Sequence, residues 1–502
     1  MEWALAHLLK VGDSDLIPVP FEYQAIKADW PRIKKELESL DLSAPATAAQ
    51  DHFMVPKPEG AFRVAIRLDP VDALVYTAAV YECAEKVEKA RVSARVACSY
   101  RVGVDPSGRL FGIDDHWSIW TKRSLELARM KRTAYVVTAD ISDCYSQLGH
   151  HRVCNALENA GVSTTRAQTI EKMLGGWSAL QSRGVPVGPH ASILLAEACL
   201  NDVDQHLMAL GYRHLRYVDD FRIFCRSRAE SIRAIHDLTS YLFTAHRLAL
   251  QPQKTKTYRS DVFRARVVES PEALERQKKA EHLKAIIEQW EALGYGLEEK
   301  DVDAPEINTD VIAELFRECL RAKPIRAGLL RYVYRRASVL RTNRIQQGTL
   351  KNLDRLVPIL RDVFRYLDKT SQARSQKRIV DAVLRFATGS DFSFLPYVQE
   401  WTVDVLTKGF SGTVTGGRLL RYIQKMKLVV GVRGEALIAR SRGDISWVRG
   451  HKERWQSLGP WQRRAVIYAG SVLKTDERSA WKKVILRAGD SLDRAVAIYA
   501  LA

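Results

Sequence analysis

The sequence predicts an α+β fold in three parts: an N-terminal helical extension over 1–50, a mixed α/β region over 51–267, and an all-α, HEAT-like helical domain over 268–502. Three observations carry this reading. Short β-rich runs alternate with longer helical patterns only in the middle region, apolar spacing beyond 268 is helical throughout, and basic charge collects in the last part. A chain of 502 residues also exceeds what one hydrophobic core ordinarily supports.

Residues 1–50 read as helical, broken at Ile17-Pro-Val-Pro20 and ended near Pro45. In the middle region the β-rich runs are Phe62–Leu68, Tyr135–Thr138, His214–Val218 and Phe221–Cys225. Helical patterns lie between them at 119–132, 150–160 and 190–210. Beyond 268, helices are expected at 274–292, 308–322, 326–341, 350–368, 375–387, 394–408, 417–428, 434–449, 460–473, 478–488 and 490–501. Pro324, Pro358, Pro396 and Pro460, with Gly348, Gly389 and Gly416, punctuate them. No clean repeat period emerges, so an irregular bundle stays open beside the array.

The net charge of +18 is uneven. Residues 1–267 hold 35 bases and 31 acids, whereas 268–502 hold 42 and 28. A basic half is the footprint of a nucleic-acid partner, although arginines coating a helical surface give the same count. No run approaches the length of a membrane helix, and Met1–Lys10 lacks the basic lead of a secretory signal. The cysteines (Cys83, Cys98, Cys144, Cys154, Cys199, Cys225 and Cys319) form no C-x-x-C pair, which favours buried thiols in a reducing cytoplasm.

Chemistry concentrates in carboxylates. In Leu215-Arg-Tyr-Val-Asp-Asp-Phe-Arg-Ile-Phe224, two apolar runs flank adjacent acids, placing Asp219 and Asp220 at a hairpin tip. Asp-Asp is also an ordinary turn dipeptide, but neighbouring carboxylates repel unless a cation neutralises them. Tyr135-Val-Val-Thr-Ala-Asp140 is a β-branched run that ends in an acid, a placement packing explains poorly and metal binding explains well. Asp143 could join that site or cap the following helix. Between the acids lies Ser182-Arg-Gly-Val-Pro-Val-Gly-Pro-His-Ala-Ser192, whose glycines allow close approach to a ligand or simply make a turn before a helix.

In order and spacing, these segments resemble the fingers and palm of reverse transcriptases. Asp140 to Tyr145 is similar to the first acidic motif, and Gly184-Val-Pro-Val-Gly188 with Ser192 to the template and nucleotide loop. Tyr217-Val-Asp-Asp220 matches the second acidic motif. Leu250-Gln-Pro-Gln-Lys254-Thr255 resembles the later L-x-x-x-K-T element, and Val55-Pro-Lys57-Pro-Glu-Gly60-Ala-Phe-Arg63 the fingers element. The resemblance covers about 50–267. It implies that Asp140, Asp219 and Asp220, with the Ile141 carbonyl, hold two Mg²⁺ ions, for which Mn²⁺ can substitute. It implies that Lys57 and Arg63 grip a dNTP triphosphate and that Tyr145 stacks on the sugar. Gly184, Pro186 and Gly188 line the nucleotide site, and Lys254 approaches the pyrophosphate with Lys256 as a competitor.

A palm followed directly by a helical array further resembles bacterial abortive-infection and related defence-associated reverse transcriptases. That group implies DNA synthesis without a template, priming from a protein tyrosine, and a small homo-oligomer in the bacterial cytoplasm. Val414-Thr-Gly416 mimics a retron signature but lies in the helical half. The basic series Arg317, Arg321, Lys323, Arg326, Arg331, Arg335, Arg336, Arg341 and Arg344, interleaved with Tyr332 and Tyr334, is a candidate path for a single-stranded DNA product, or a solvated surface. Two readings compete with the defence polymerase: a template-copying enzyme bound to a dedicated RNA, and a catalytically silent scaffold.

Overall fold

The computed structural model describes residues 1–502 apart from 13, 15, 42–44, 46, 49, 59, 113–115, 179–180, 268–308 and 411–430. The expected helices 274–292 and 417–428, and Val414-Thr-Gly416, lie outside the described residues. Described residues form two compact units. The first holds 1–10, 41–50 and the residues from 72 to 267. The second holds 11–40, 51–71 and the residues from 309 onward. None of the described helices is long and apolar enough to cross a membrane.

The first unit is built on a four-stranded antiparallel sheet in the order β4-β5-β3-β6: β3 is Tyr135–Asp140, β4 Arg213–Tyr217, β5 Asp220–Cys225 and β6 Lys256–Arg259. Register follows the two-residue alternation of side chains. Val136, Leu215 and Phe224 share one face with Trp120, Leu127, Ala128 and Phe263, supplied by the helices His116–Ala128 and Ser260–Val267. The opposite face carries His214, Arg216 and Ile223 and packs against the helices His190–Ala209 and Arg228–Tyr241. Asp140 and Asp220 face each other across β3 and β5, at the end where the apolar rows stop.

The second unit joins the antiparallel hairpin β1 (Asp51–Pro56) and β2 (Phe62–Arg67) to the C-terminal helices. Among described residues, none beyond Arg259 is in a strand, as the helical spacing predicted. Two expected helices are divided. Pro358 lacks the amide a helix interior needs, so 350–368 resolves into Gln346–Lys351, a 3₁₀ stretch Leu353–Ile359 and Leu360–Lys369. Gly443, at φ 67°, ends Gly431–Arg442, and the Asp444 side chain then caps Ile445–Lys452 by accepting from the Trp447 amide. Sequence spacing did not reveal β1 or β6, because each mixes polar residues into a short run.

Buried ion pairs organise this unit. Arg67 bonds Glu400 at 3.0 Å and Asp51 at 2.8 Å, Arg433 bonds Glu22 at 2.6 Å, and Arg464 bonds Asp69 at 2.6 Å. The guanidiniums of Arg67, Arg433 and Arg464 lie 4.3, 4.8 and 5.8 Å from the Trp461 ring. Glu22 is fully buried, so removing its partner strands a charge. Arg433→Met is expected to lower the stability of this unit by about 3–5 kcal/mol. Adding Glu22→Gln should recover part of that loss in denaturant titrations, and an unchanged midpoint for Arg433→Met would contradict the pairing.

Candidate active site

The site begins with register. Asp140 ends β3 opposite Asp220, the first residue of β5, and Tyr217 closes β4 opposite the same Asp220. That leaves Val218 and Asp219 as a two-residue hairpin loop. Val218 has φ 55°, a region β-branched residues rarely occupy. The Asp219 carbonyl accepts from the Ile141 amide at 3.1 Å, tying the loop to the end of β3. As a result, Asp140, Asp219 and Asp220 offer carboxylate oxygens within 4.8 Å of one another.

Three carboxylates so close cannot all stay ionised without a positive charge between them. Burial, and the charges of Asp219 and Asp140, push the Asp220 carboxyl from 3.8 up to about 7. The Lys254 ammonium bonds Asp140 Oδ2 at 2.7 Å. Burial opposes its charge, but Asp140, Asp220 and Asp219 outweigh burial and hold its pKa above the usual lysine value. The donor set is made of hard carboxylate oxygens, a composition that suits a divalent cation.

The neighbouring segments reach this end of the sheet through backbone bonds. Gln251 donates its amide to the Asp140 carbonyl at 2.7 Å, and Ser142 Oγ bonds Gln251 Oε1 at 2.5 Å. The Lys254 and Thr255 amides bond the Gln251 carbonyl, making the turn that aims Lys254 inward. Lys256 instead sits on β6 opposite Thr138, so Lys254 is the lysine at Asp140. The glycine-rich loop is bound to the segment after β3: Gly184 N donates to Leu148 O at 2.7 Å and Val185 N to Tyr145 O at 2.9 Å. Gly184 needs its freedom, with φ 99° and Ser146 O only 3.3 Å from where a Cβ would stand. Gly188 takes φ 133°, and Ser192 is buried with its hydroxyl 2.9 Å from Tyr76 Oη.

Asp143 is exposed at φ 48° and outside the carboxylate cluster; its Oδ1 accepts from Ser146 Oγ at 2.9 Å. Tyr145 is half-buried on the short helix Cys144–Gln147. Lys57 and Arg63 lie exposed on the β1–β2 hairpin of the second unit, where Gly60 turns the chain at φ 83°. In the helical half, Arg331 and Arg335 pair with buried Asp362, at 3.8 and 3.2 Å. Arg326 pairs with Glu318 at 3.2 Å, and Arg344 pairs with Asp310. Arg317 and Arg321 are exposed and Arg336 half-buried. Tyr332 and Tyr334 are core residues, because helical periodicity turns them inward with Leu330, Val333 and Ala337; the surface stacking role expected of them is corrected.

Sequence reasoning overlooked Arg222 and Glu197. Arg222 lies one position beyond Phe221, 3.4 Å from the Trp120 ring and 2.7 Å from Ser124 Oγ. Burial lowers its pKa to about 10, against the opposing pull of Asp220. Glu197 is a lone acid in the apolar run Ile193–Leu200, and that isolation is the signal that could have found it.

An antiparallel sheet with a strand-end acid beside a hairpin pair of acids has the organisation of a polymerase palm. Residues 55–296 match the family described as reverse transcriptase (RNA-dependent DNA polymerase). The chain therefore carries a reverse transcriptase domain and is a nucleotidyltransferase of the RNA-directed DNA polymerase type. Comparison with curated proteins gives no match. Among solved structures the chain is similar to telomerase from Candida albicans in complex with a TWJ fragment of telomeric RNA, at 10% identity and a TM-score of 0.33 over 80% of this chain and 69% of that one. It is also similar to apo telomerase from Candida tropicalis, at 11% identity and a TM-score of 0.34 over 80% and 73% of the two chains. Likenesses this distant do not bear on substrate or partner.

The raised Asp220 pKa sets a pH dependence. Without a cation, the folded chain keeps a proton there that the unfolded chain releases near 4, so this group's contribution to stability is lost as pH rises from about 4 through about 7. A cation held by Asp220 would have to displace that proton below neutrality. Mn²⁺ affinity followed by electron paramagnetic resonance should weaken by up to about tenfold per pH unit below 7 and level off above it. Asp220→Asn should remove the slope; a slope that survives the substitution would contradict the assignment.

Proposed function

We propose that this chain is a divalent-metal-dependent DNA polymerase that adds dNTPs to a 3′-hydroxyl or its equivalent. The convergence of Asp140, Asp219 and Asp220 within 4.8 Å carries the reading. Asp140 and Asp219, with the Ile141 carbonyl, would hold two Mg²⁺ ions, with Asp220 as a further carboxylate at the site and Mn²⁺ able to substitute. When bound there, the cations would supply acidification of the attacking hydroxyl and charge neutralisation for the triphosphate and the leaving pyrophosphate. Lys254, held at this site by Asp140, is the residue to meet the pyrophosphate. Lys57 and Arg63 are assigned to the triphosphate on charge and motif. Tyr145, Gly184, Pro186 and Gly188 are assigned to the nucleotide because the Gly184–Val185 backbone is bonded directly to the Tyr145–Leu148 segment.

Residues 51–267 act as fingers and palm on this reading, and the rest as a HEAT-like accessory domain that guides single-stranded product along Arg317, Arg321, Arg326, Arg331, Arg335 and Arg336. The run of helices with no described strand after Arg259 supports placement with bacterial antiphage defence enzymes that synthesise DNA without a template, prime from a tyrosine and assemble as homo-oligomers.

The test is incorporation of labelled dNTPs by purified protein with Mg²⁺, with and without primed RNA, beside Asp219→Ala. Incorporation without a template that falls at least about 100-fold in the variant supports the defence polymerase. Activity only on primed RNA supports a copying enzyme, and silence in both conditions contradicts polymerase function. Separately, Lys254→Ala is expected to lower kcat by roughly 10- to 100-fold with little change in KM, because its ammonium acts late, on the leaving group. A change confined to KM, measured by steady-state incorporation, would contradict that role.

A further inference from the structure

The acidic hairpin is held in a strained shape by a buried charge network on the far face of the sheet. Val218 occupies φ 55°, and Tyr100, which lies beside the hairpin's Tyr217, occupies φ 44°. Neither conformation is comfortable for a residue with a Cβ, and such strain persists only where surroundings over-determine it. Here they do. The Val218 amide donates to Ser99 Oγ at 2.8 Å, and the Val218 carbonyl accepts from Arg216 Nη1 at 3.0 Å. Both polar backbone groups of the strained residue are therefore bound by side chains.

Those side chains are fixed in turn by one buried carboxylate. Ser99 Oγ donates to Glu197 Oε1 at 2.5 Å, and Glu197 Oε2 accepts from Arg216 at 2.8 Å and from Arg91 at 2.6 Å. Arg91 also donates to the carbonyls of Ser99 and Tyr100, at 2.8 and 2.9 Å, clamping the segment that carries the serine. Asp204 completes the set. Its Oδ2 accepts from Arg216 at 2.7 and 2.9 Å, and its Oδ1 lies 3.0 Å from His214 Nε2. Ser99, Glu197, Asp204 and Arg216 are all 1% exposed or less. Ser99 and Arg216 thus hold the amide and the carbonyl of Val218, backed by the buried charges of Glu197, Asp204 and Arg91, where an apolar core would pack the sheet as well.

We propose that Ser99 and Glu197 are positioning residues for metal binding: through the Val218 amide they hold Asp219 where its carboxylate can share a cation with Asp140. The inference rests on the polymerase reading above. Ser99 is the component to remove, because Ser99→Ala deletes a single oxygen and leaves the arginine–carboxylate pairs intact. Val218→Gly is its partner variant, since glycine takes a left-handed φ without steric penalty and has less need of the clamp.

Ser99→Ala is expected to lower kcat about 10- to 100-fold, the scale on which supports of a metal ligand act, with KM for dNTP within about threefold. The Mg²⁺ concentration for half-maximal rate, and the Mn²⁺ dissociation constant by electron paramagnetic resonance, should each rise about tenfold. On a Val218→Gly background the same substitution should change kcat by less than about threefold, a non-additivity that generalised destabilisation does not produce. The proposal is overturned if Ser99→Ala leaves kcat and metal requirement unchanged, or if its loss adds fully to that of Val218→Gly and follows a lowered Tm. A wild type that binds Mn²⁺ but incorporates nothing contradicts the polymerase reading alone. The clamp is then judged by Mn²⁺ affinity, where weakening in Ser99→Ala supports it and equality overturns it. A wild type with neither property sinks both.

Discussion

Mutual repulsion among three carboxylates is the constraint on which the rest of the first unit depends. The β3–β5 register sets Asp140 against Asp220, and the tight loop adds Asp219, so three acids share one end of a sheet. Negative charge gathered this way opposes folding unless something offsets it. The structure supplies partial answers: a proton on Asp220 up to about neutral pH, and the Lys254 ammonium against Asp140. Neither neutralises the cluster as a divalent cation would, and chemistry at a phosphate needs that same cation.

The packing around the sheet follows from keeping that end open and rigid. On one face the apolar row of Val136, Leu215 and Phe224 lies beneath Trp120 and Phe263, and gives way to Arg222 and then the acids. On the other, His214 and Arg216 replace apolar residues and are matched by Asp204 and Glu197 from the helix His190–Ala209. A buried ionic network is weak support for stability, but it fixes geometry where displacement by an ångström matters. The second unit uses the same device for a different end, seating Arg67, Arg433 and Arg464 around Trp461.

Much of this was legible in the sequence, for identifiable reasons. β3 and β5 are strongly β-branched or aromatic runs that end at acids, so strand, turn and carboxylate all announced themselves locally. The C-terminal helices were legible because apolar spacing and Pro/Gly punctuation repeat throughout. β6 and β1 were not, since Lys-Thr-Tyr-Arg and Asp-His-Phe-Met-Val-Pro become strands only through the partners they pair with. Nor did the sequence distinguish Lys254 from Lys256; only the turn at Gln251 decides which one meets Asp140. Tyr332 and Tyr334 misled because alternation with arginine suggested a surface, while helical geometry turned both inward. The support from Ser99 and Glu197 joins residues 98 positions apart, a pairing no local pattern announces.

The most direct test of the central claim is anomalous diffraction from crystals soaked in Mn²⁺ with a non-hydrolysable dNTP analogue. The account predicts two anomalous peaks among the carboxylates of Asp140, Asp219 and Asp220, with the Lys254 ammonium displaced from Asp140. Manganese bound elsewhere, or a Lys254 ammonium still bonded to Asp140 at saturating metal, would contradict it.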